Sequence, residues 1–280
     1  MYKFNVKNIK IYPNNPLVLI AGPCVIEGQD HALFMAEKIK AICKKVRVPC
    51  IFKSSFLKAN RSSIESYVGP GLDKGLKILE KVKKEISVPV ISDVHSIEQI
   101  APAASVLDII QIPAFLCRQT ELLVTAAKTG TVINVKKGQF LAPGDVENVI
   151  QKVKSTGNEK ILITERGSTF GYNNLVVDMR SLEILKRVGV PVIFDATHSI
   201  QLPGAQGTCS GGQREFVAPL ARAAVSIGVN ALFSEVHDRP AAAKCDGPNM
   251  ITPEELAQLL PLLIKIDSLV KREFNHGKSA

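Results

Sequence analysis

The chain of 280 residues is 46% hydrophobic and 22% charged, enough apolar material for a sizeable core, which excludes disorder as its main state. No apolar run reaches the ~18 to 20 residues that span a bilayer, and the N terminus lacks the apolar stretch of a signal peptide; a cytoplasmic protein with no membrane partner is expected. A net charge of +9 without a Lys/Arg tract, with no Trp and 5% aromatic residues, argues against a nucleic-acid platform and for small anionic ligands.

From the N terminus, residues 4–12 roughly alternate apolar and polar, and a small hairpin is predicted there, within a cap of residues 1–14. Eight short, β-branched apolar runs follow, at residues 17–21, 50–53, 88–92, 109–112, 132–135, 161–164, 190–194 and 229–233. They are apolar at successive positions, as in parallel strands covered on both faces. Helical spacing appears between them, for example at residues 31–46 through Leu33, Ala36, Ile39 and Ile42, and at 72–86 through Leu72, Leu76, Leu79, Val82 and Ile86. The last helix is predicted over 253–274, with Pro253 at its start after Thr252. Val48-Pro49, Val88-Pro89 and Val190-Pro191 introduce three of the strands, where a proline's missing donor is tolerated. Eight βα units without a long linker predict one α/β domain over residues 1–280, a closed (β/α)8 barrel with the hairpin at its N-terminal end. Six cysteines (Cys24, Cys43, Cys50, Cys117, Cys209 and Cys245) without a CxxC pair fit a reducing compartment.

In such a barrel the chemistry sits just after each strand. Those positions are Cys24; Lys53, Ser55 and Lys58; Asp93 and His95; Gln111; Lys136 and Lys137; Glu165 and Arg166; Asp195 and His198; Glu235, His237 and Asp238. Lys53, Glu165 and Glu235 abut or fall within apolar runs, where a charge is costly unless partnered; the set therefore reads as functional more readily than as structural pairing. Lys53, Lys58, Arg61, Lys136 and Arg166 form a cationic set suited to phosphates and a carboxylate. The loop from Phe56 to Ser63 adds hydroxyls and an amide for sugar hydroxyls and phosphate oxygens. Cys24, His198, Glu235 and Asp246 combine a thiol, an imidazole and two carboxylates that together suit a divalent transition ion. No two of them sit at a local ligand spacing, so this expectation rests on the barrel. Such an ion would polarise an aldehyde or hydroxyl, or acidify a bound water.

Ala21-Gly22-Pro23-Cys24-Val25-Ile26-Glu27, Lys53-Ser54-Ser55-Phe56 leading into Lys58-Ala59-Asn60-Arg61-Ser62-Ser63, the run from Gln111 to Thr120, Asn134-Val135-Lys136-Lys137-Gly138, Thr164-Glu165-Arg166-Gly167, Asp195-Ala196-Thr197-His198 and Lys244-Cys245-Asp246-Gly247-Pro248 together resemble the 3-deoxy-D-manno-octulosonate 8-phosphate synthase family over nearly the whole chain. The resemblance implies condensation of phosphoenolpyruvate with D-arabinose 5-phosphate and water, with release of phosphate, for the Kdo of lipopolysaccharide. It implies a (β/α)8 barrel that assembles as a homotetramer. Lys53, Ser55, Lys58, Gln111, Ala114, Lys136 and Arg166 match the family's phosphoenolpyruvate site. Asn60, Arg61 and Ser62 match the sugar-phosphate grip, and Arg118 the residue that reaches a neighbouring subunit's distal phosphate. Asp93 matches a residue near the sugar aldehyde, and Lys58, Asp93, Lys136, His198 and Asp246 are the expected catalytic groups. Cys24 implies the metal-dependent type with His198, Glu235 and Asp246 as further ligands, for zinc, iron or manganese. Cys245-Asp246-Gly247-Pro248 resembles the form commoner in metal-free members, so binding is implied more firmly than strict dependence.

Two rival readings remain at this level. One is a related seven-carbon synthase that uses erythrose 4-phosphate; its relatives carry a Lys-Pro-Arg-Thr type motif where this chain has Lys58-Ala59-Asn60-Arg61. The other is a basic RNA-binding module, which would spread its charge along an outer face. Residues 204–212 and 238–248 are expected to be mobile lids from their Gly and Pro content.

Overall fold

The structure, a computed structural model, describes residues 4–61, 63–204 and 211–276, with side chains to residue 272. Eight parallel strands close a barrel: β1 (Val18–Gly22), β2 (Cys50–Lys53), β3 (Val90–Asp93), β4 (Ile109–Ile112), β5 (Val132–Lys136), β6 (Ile161–Glu165), β7 (Val192–Asp195) and β8 (Ala231–Glu235). Each pairs with its sequence neighbours, and β8 returns to β1. Between and after them lie α1 (Gln29–Lys45), α2 (Leu72–Glu85), α3 (Ile100–Val106), α4 (Thr120–Lys128), α5 (Val146–Lys154), α6 (Met179–Arg187), α7 (Val217–Ser226) and α8 (Pro253–His276). This is the (β/α)8 barrel that the eight apolar runs predict.

Pro49, Pro89 and Pro191 stand one residue before β2, β3 and β7, where their carbonyls accept from Leu19, Phe52 and Ile163 at 2.9, 2.8 and 3.1 Å. At the other end the strands run further than their hydropathy. Lys136, Glu165, Asp195 and Glu235 all belong to the ladder. A charge ends an apolar run, but its backbone N–H and C=O still bond across the sheet. Gly22 closes β1 because a Cβ there would collide with the Lys53 carbonyl oxygen on β2.

Two apolar layers result. The larger packs strands against helices; the second lies inside the barrel, where Val18, Ile20, Ile51, Ile91, Ile109, Val132, Leu162, Ile193, Ala231 and Phe233 meet Phe4, Val6, Ile9 and Ile11. The last four come from the predicted hairpin, whose strands Asn5–Val6 and Ile9–Lys10 pair antiparallel. The hairpin thus plugs the N-terminal end.

Candidate active site

Side chains alternate across a strand, so the inward apolar residues fix what faces inward two and four positions later. Ile51 implies Lys53; Ile91, Asp93; Ile109, Gln111; Val132, Asn134 and Lys136; Leu162, Thr164; Ile193, Asp195; Ala231, Phe233 and Glu235. The interior is tiered. Above the apolar plug a polar belt runs round the wall: Thr164 Oγ1 donates to Asn134 Oδ1 at 2.8 Å, Asn134 Nδ2 to Gln111 Oε1 at 3.0 Å and Gln111 Nε2 to Asp93 Oδ1 at 3.4 Å. Glu165 has the opposite parity and faces the helices. It accepts from the Arg166 and Gly167 amides and from Ser181 Oγ of α6 at 2.9, 2.7 and 2.9 Å, with Lys137 Nζ at 3.6 Å. The charge at Glu165, read from its place in an apolar run, is a structural anchor.

Above the belt lie the inward charges. Lys53 Nζ donates to Ser55 Oγ and the Cys24 carbonyl at 3.0 and 3.1 Å, and stands 3.7 and 3.6 Å from Asp93 and Glu235. Ser55 Oγ in turn lies 2.9 and 3.0 Å from the two Asp93 oxygens. Lys136 Nζ donates to Asp195 Oδ2 at 2.6 Å and sits 4.2 Å above the Phe233 ring. Asp195 also accepts from the His198 amide and holds His198 Nδ1 at 2.8 Å. Burial alone would raise the Asp93 and Asp195 carboxyls, but Lys53 and Lys58, and His198 and Lys136, hold them well below the usual range. Lys136 is lowered by burial, and Lys53 nearby adds to this. Burial also lowers Arg166.

A cavity of about 1100 Å³ opens above these groups. Lys53, Lys58, Asn60, Arg61, Asp93, Gln111, Ala114, Lys136, Arg166, His198 and Asp246 line it. Ser55 is buried beside Lys53. Ser62 lies outside the described residues. Arg118 is not brought to this cavity; it is exposed two residues before α4, its carbonyl accepting from Lys152 Nζ at 2.9 Å.

The four expected metal ligands converge. Ligand atoms of His198, Glu235 and Asp246 lie within 4.8 Å of one another, as do those of Cys24, Cys245 and Asp246, so Asp246 joins the two groups. Both Glu235 carboxylate oxygens are buried without a hydrogen-bond donor, with Lys53 and His198 Nε2 at 3.6 and 3.5 Å. Burial, then Cys245 and Glu235, push the Cys24 thiol well up. A thiol, an imidazole and two carboxylates, one of them without donors, fit a divalent transition ion, whose charge offsets the buried acids. Asp246 is in the left-handed region, φ 51°, which aspartate tolerates better than most residues.

Sequence reasoning missed three contributors. Cys245 Sγ lies 3.0 Å from Cys24 Sγ and 2.7 Å from Arg61 Nη1. Gln201 accepts from Arg166 at 2.9 Å and donates to Asp246 at 3.0 Å. Arg214 lies on the rim. Gln201 and Arg214 stand well beyond a strand end, where period carries no signal; Cys245 was visible only as the neighbour of Asp246. Of the expected lids, residues 205–210 lie outside the described residues. The other, 238–248, holds short 3₁₀ turns at Pro240–Ala242 and Gly247–Asn249, and the Lys244 amide is bound to Glu27 at 2.9 Å.

The profile of the DAHP synthetase I family matches residues 2–272. The chain belongs to the DAHP synthetase I family. Within the DAHP synthetase I family it is similar to proteins named 2-dehydro-3-deoxyphosphooctonate aldolase. That of Geotalea uraniireducens (strain Rf4) is 60% identical over 269 residues, 96% of this chain and 99% of the relative. Those of Trichlorobacter lovleyi and Geobacter sulfurreducens are 58% and 59% identical with the same coverage. No helix among the described residues is long and apolar enough to cross a membrane.

Proposed function

We propose that this chain condenses phosphoenolpyruvate with D-arabinose 5-phosphate and water, giving 3-deoxy-D-manno-octulosonate 8-phosphate and inorganic phosphate for Kdo synthesis in the cytoplasm. The observation that carries the reading is the gathering of Lys53, Lys58, Arg61, Lys136 and Arg166 around one cavity. That is a cationic complement for two phosphates and a carboxylate. The names of relatives matching almost end to end support the same reaction.

In this reading C3 of phosphoenolpyruvate attacks the sugar aldehyde while water adds at C2, and the hemiketal phosphate then loses phosphate by carbon–oxygen cleavage. Lys53, Lys58, Lys136 and Arg166 bind the phosphoenolpyruvate carboxylate and phosphate, with Ser55, Gln111 and Ala114 shaping their wall. Lys58 and Lys136 stabilise charge as it develops at C2. Asn60, Arg61 and Ser62 grip the arabinose phosphate, and Asp93 meets its aldehyde end. Asp195 orients Lys136 and His198. Cys24, His198, Glu235 and Asp246 hold a divalent ion of the zinc, iron or manganese kind, which supplies electrophilic polarisation of an aldehyde or a water when bound.

The same reading makes the enzyme a homotetramer in which Arg118 serves a neighbouring subunit's sugar phosphate. Exposed Phe115, Phe140 and Phe170 near the mouth supply apolar area for such contacts.

The test is phosphate release from phosphoenolpyruvate with arabinose 5-phosphate or erythrose 4-phosphate, before and after chelation and with single ions restored. Turnover with arabinose 5-phosphate alone is expected. Preference for erythrose 4-phosphate would transfer the site to seven-carbon synthesis, the second reading that the family profile keeps in play. Activity surviving verified metal removal would keep the reaction and demote the ion.

A further inference from the structure

Outside the cavity, the connections that follow β1 and β8 bring a second set of ligand-type side chains together. Glu27 lies in the β1–α1 connection, His31 in the first turn of α1, and His237 and Asp238 just after β8. None of the four lines the cavity. One ligand atom each from Glu27, His31 and His237 lie within 4.8 Å of one another. The two imidazole rings are 4.6 Å apart, centroid to centroid. The His237 side chain is 4% exposed, Glu27 15% and His31 21%, so the cluster is sheltered yet open to an entering ion.

The hydrogen bonds sort the four groups into inner and outer roles. Asp238 Oδ1 stands 3.0 Å from His31 Nε2 and 3.2 Å from His237 Nδ1. One carboxylate oxygen thus addresses one nitrogen of each ring. The opposite nitrogens are His31 Nδ1, buried without any partner, and His237 Nε2, which faces Glu27 Oε1 at 3.3 Å. A carboxylate behind each imidazole is the usual second contact of a metal-bound histidine; it fixes the tautomer and raises the basicity of the ligating nitrogen.

We propose that Glu27, His31 and His237 form a second site for a divalent transition ion of the zinc type, with Asp238 orienting both rings from behind. Two imidazoles favour such an ion over magnesium or calcium, and three protein ligands leave a fourth position for water. The two carboxylates balance its charge. Without the ion, the Arg239 amide donates to His237 Nδ1 at 2.9 Å, which places the ring proton on Nε2, facing Glu27. An ion bound at Nε2 would move that proton to Nδ1, which then donates to Asp238 Oδ1, 3.2 Å away, instead of accepting from the Arg239 amide, so the ring stays neutral and no proton is lost. Glu27 stays oriented by the Lys244 amide at 2.9 Å. The ion would tie together the two connections that hold Cys24 and Asp246.

The test counts zinc per chain in the whole protein after equilibration with zinc and removal of the free ion, in wild type, His31→Gln and Cys24→Asn. His31 is half-buried in the first turn of α1, outside the apolar core, so His31→Gln is expected to leave folding intact, which its circular dichroism and melting temperature check. The expected result is that His31→Gln binds one fewer zinc than wild type. Cobalt(II) separates the two sites: of the two, only the one at Cys24, where Cys245 lies beside it, offers thiols, so a thiolate charge-transfer band reports that site and is expected unchanged in His31→Gln. Loss of a further cobalt without loss of that band would place it at the histidines. Equal zinc content in His31→Gln and wild type would overturn the proposal, as would a wild type whose whole metal content disappears in Cys24→Asn.

Discussion

The two ends of the barrel interior are built from the same strands and differ by a single alternate step along each. At the N-terminal end Ile20, Ile51, Ile91 and Ile193 pack on Val6 and Ile9 of the hairpin; two residues later Ile51, Ile91 and Ile193 give way to Lys53, Asp93 and Asp195. One end gains stability from burying apolar area and needs no polar partner. The other gathers Lys53, Lys58, Arg61, Lys136 and Arg166 with Asp93, Asp195, Glu235 and Asp246 in and just below a cavity, a placement that disfavours folding unless the charges find counter-charges. The belt of Gln111, Asn134 and Thr164 separates the two with groups that satisfy one another. Stability and chemistry are therefore assigned to different levels of one tube, so they can be broken separately.

The strongest break is expected at the plug. Ile91→Ala removes a side chain with no exposed area and is expected to lower unfolding free energy by about 2–5 kcal/mol. Its kcat and KM should remain near wild type at temperatures where it is folded. Denaturant titration alongside steady-state kinetics checks both; a large loss of kcat in folded protein would show that the plug shapes the mouth directly.

Lys136→Met reverses the pattern. It is expected to reduce kcat/KM by roughly 10²–10³-fold, the range seen when one donor to developing charge is removed. Stability falls as well, because Asp195 keeps only His198 and its local donors. A variant that retained most activity would remove Lys136 from the phosphoenolpyruvate site. Arg61→Ala, on the loop above, should raise KM for arabinose 5-phosphate by about 10- to 100-fold, the worth of a charge-assisted bond, with a smaller change in kcat. Unchanged saturation by the sugar would sink its role. Cys24→Asn should lower the metal content assigned to the Cys24 site, read by elemental analysis; equal content would take Cys24 out of the ligand set.

Much of this division is legible in the amino-acid sequence alone. The apolar runs announce eight strands, and the charges that follow them announce the mouth. What a hydropathy reading blurs is the last residue or two of each strand, because Lys136, Asp195 and Glu235 are both ladder members and site residues. Parity resolves the ambiguity at Glu165, which sits in the same kind of run yet faces α6, and parity needs the register that only the closed sheet supplies. Gln201 and Cys245 were harder still. Each acts through a loop whose path no local pattern specifies, Gln201 by bridging Arg166 and Asp246, Cys245 by approaching Cys24 and Arg61.

The smallest expected effect sharpens the comparison, because it separates height in the barrel from function. Thr252 stands at the start of α8, on the mouth side, but does not line the cavity. Its Oγ1 accepts from the Glu255 amide at 3.1 Å, and Glu255 Oε2 accepts from the Thr252 amide at 2.7 Å, a reciprocal cap on donors the helix cannot satisfy. Thr252→Ala removes one half of that pair and should cost about 1 kcal/mol, a fall in melting temperature of roughly 2–4 °C for a chain of this size. Glu255 does reach the cavity rim, so the variant also asks whether its placement matters once the cap is halved. Unchanged kcat and KM with lowered stability would mean that a residue at the mouth end contributes to the reaction only by facing the cavity. A change in KM for arabinose 5-phosphate would extend the working site outward to the start of α8.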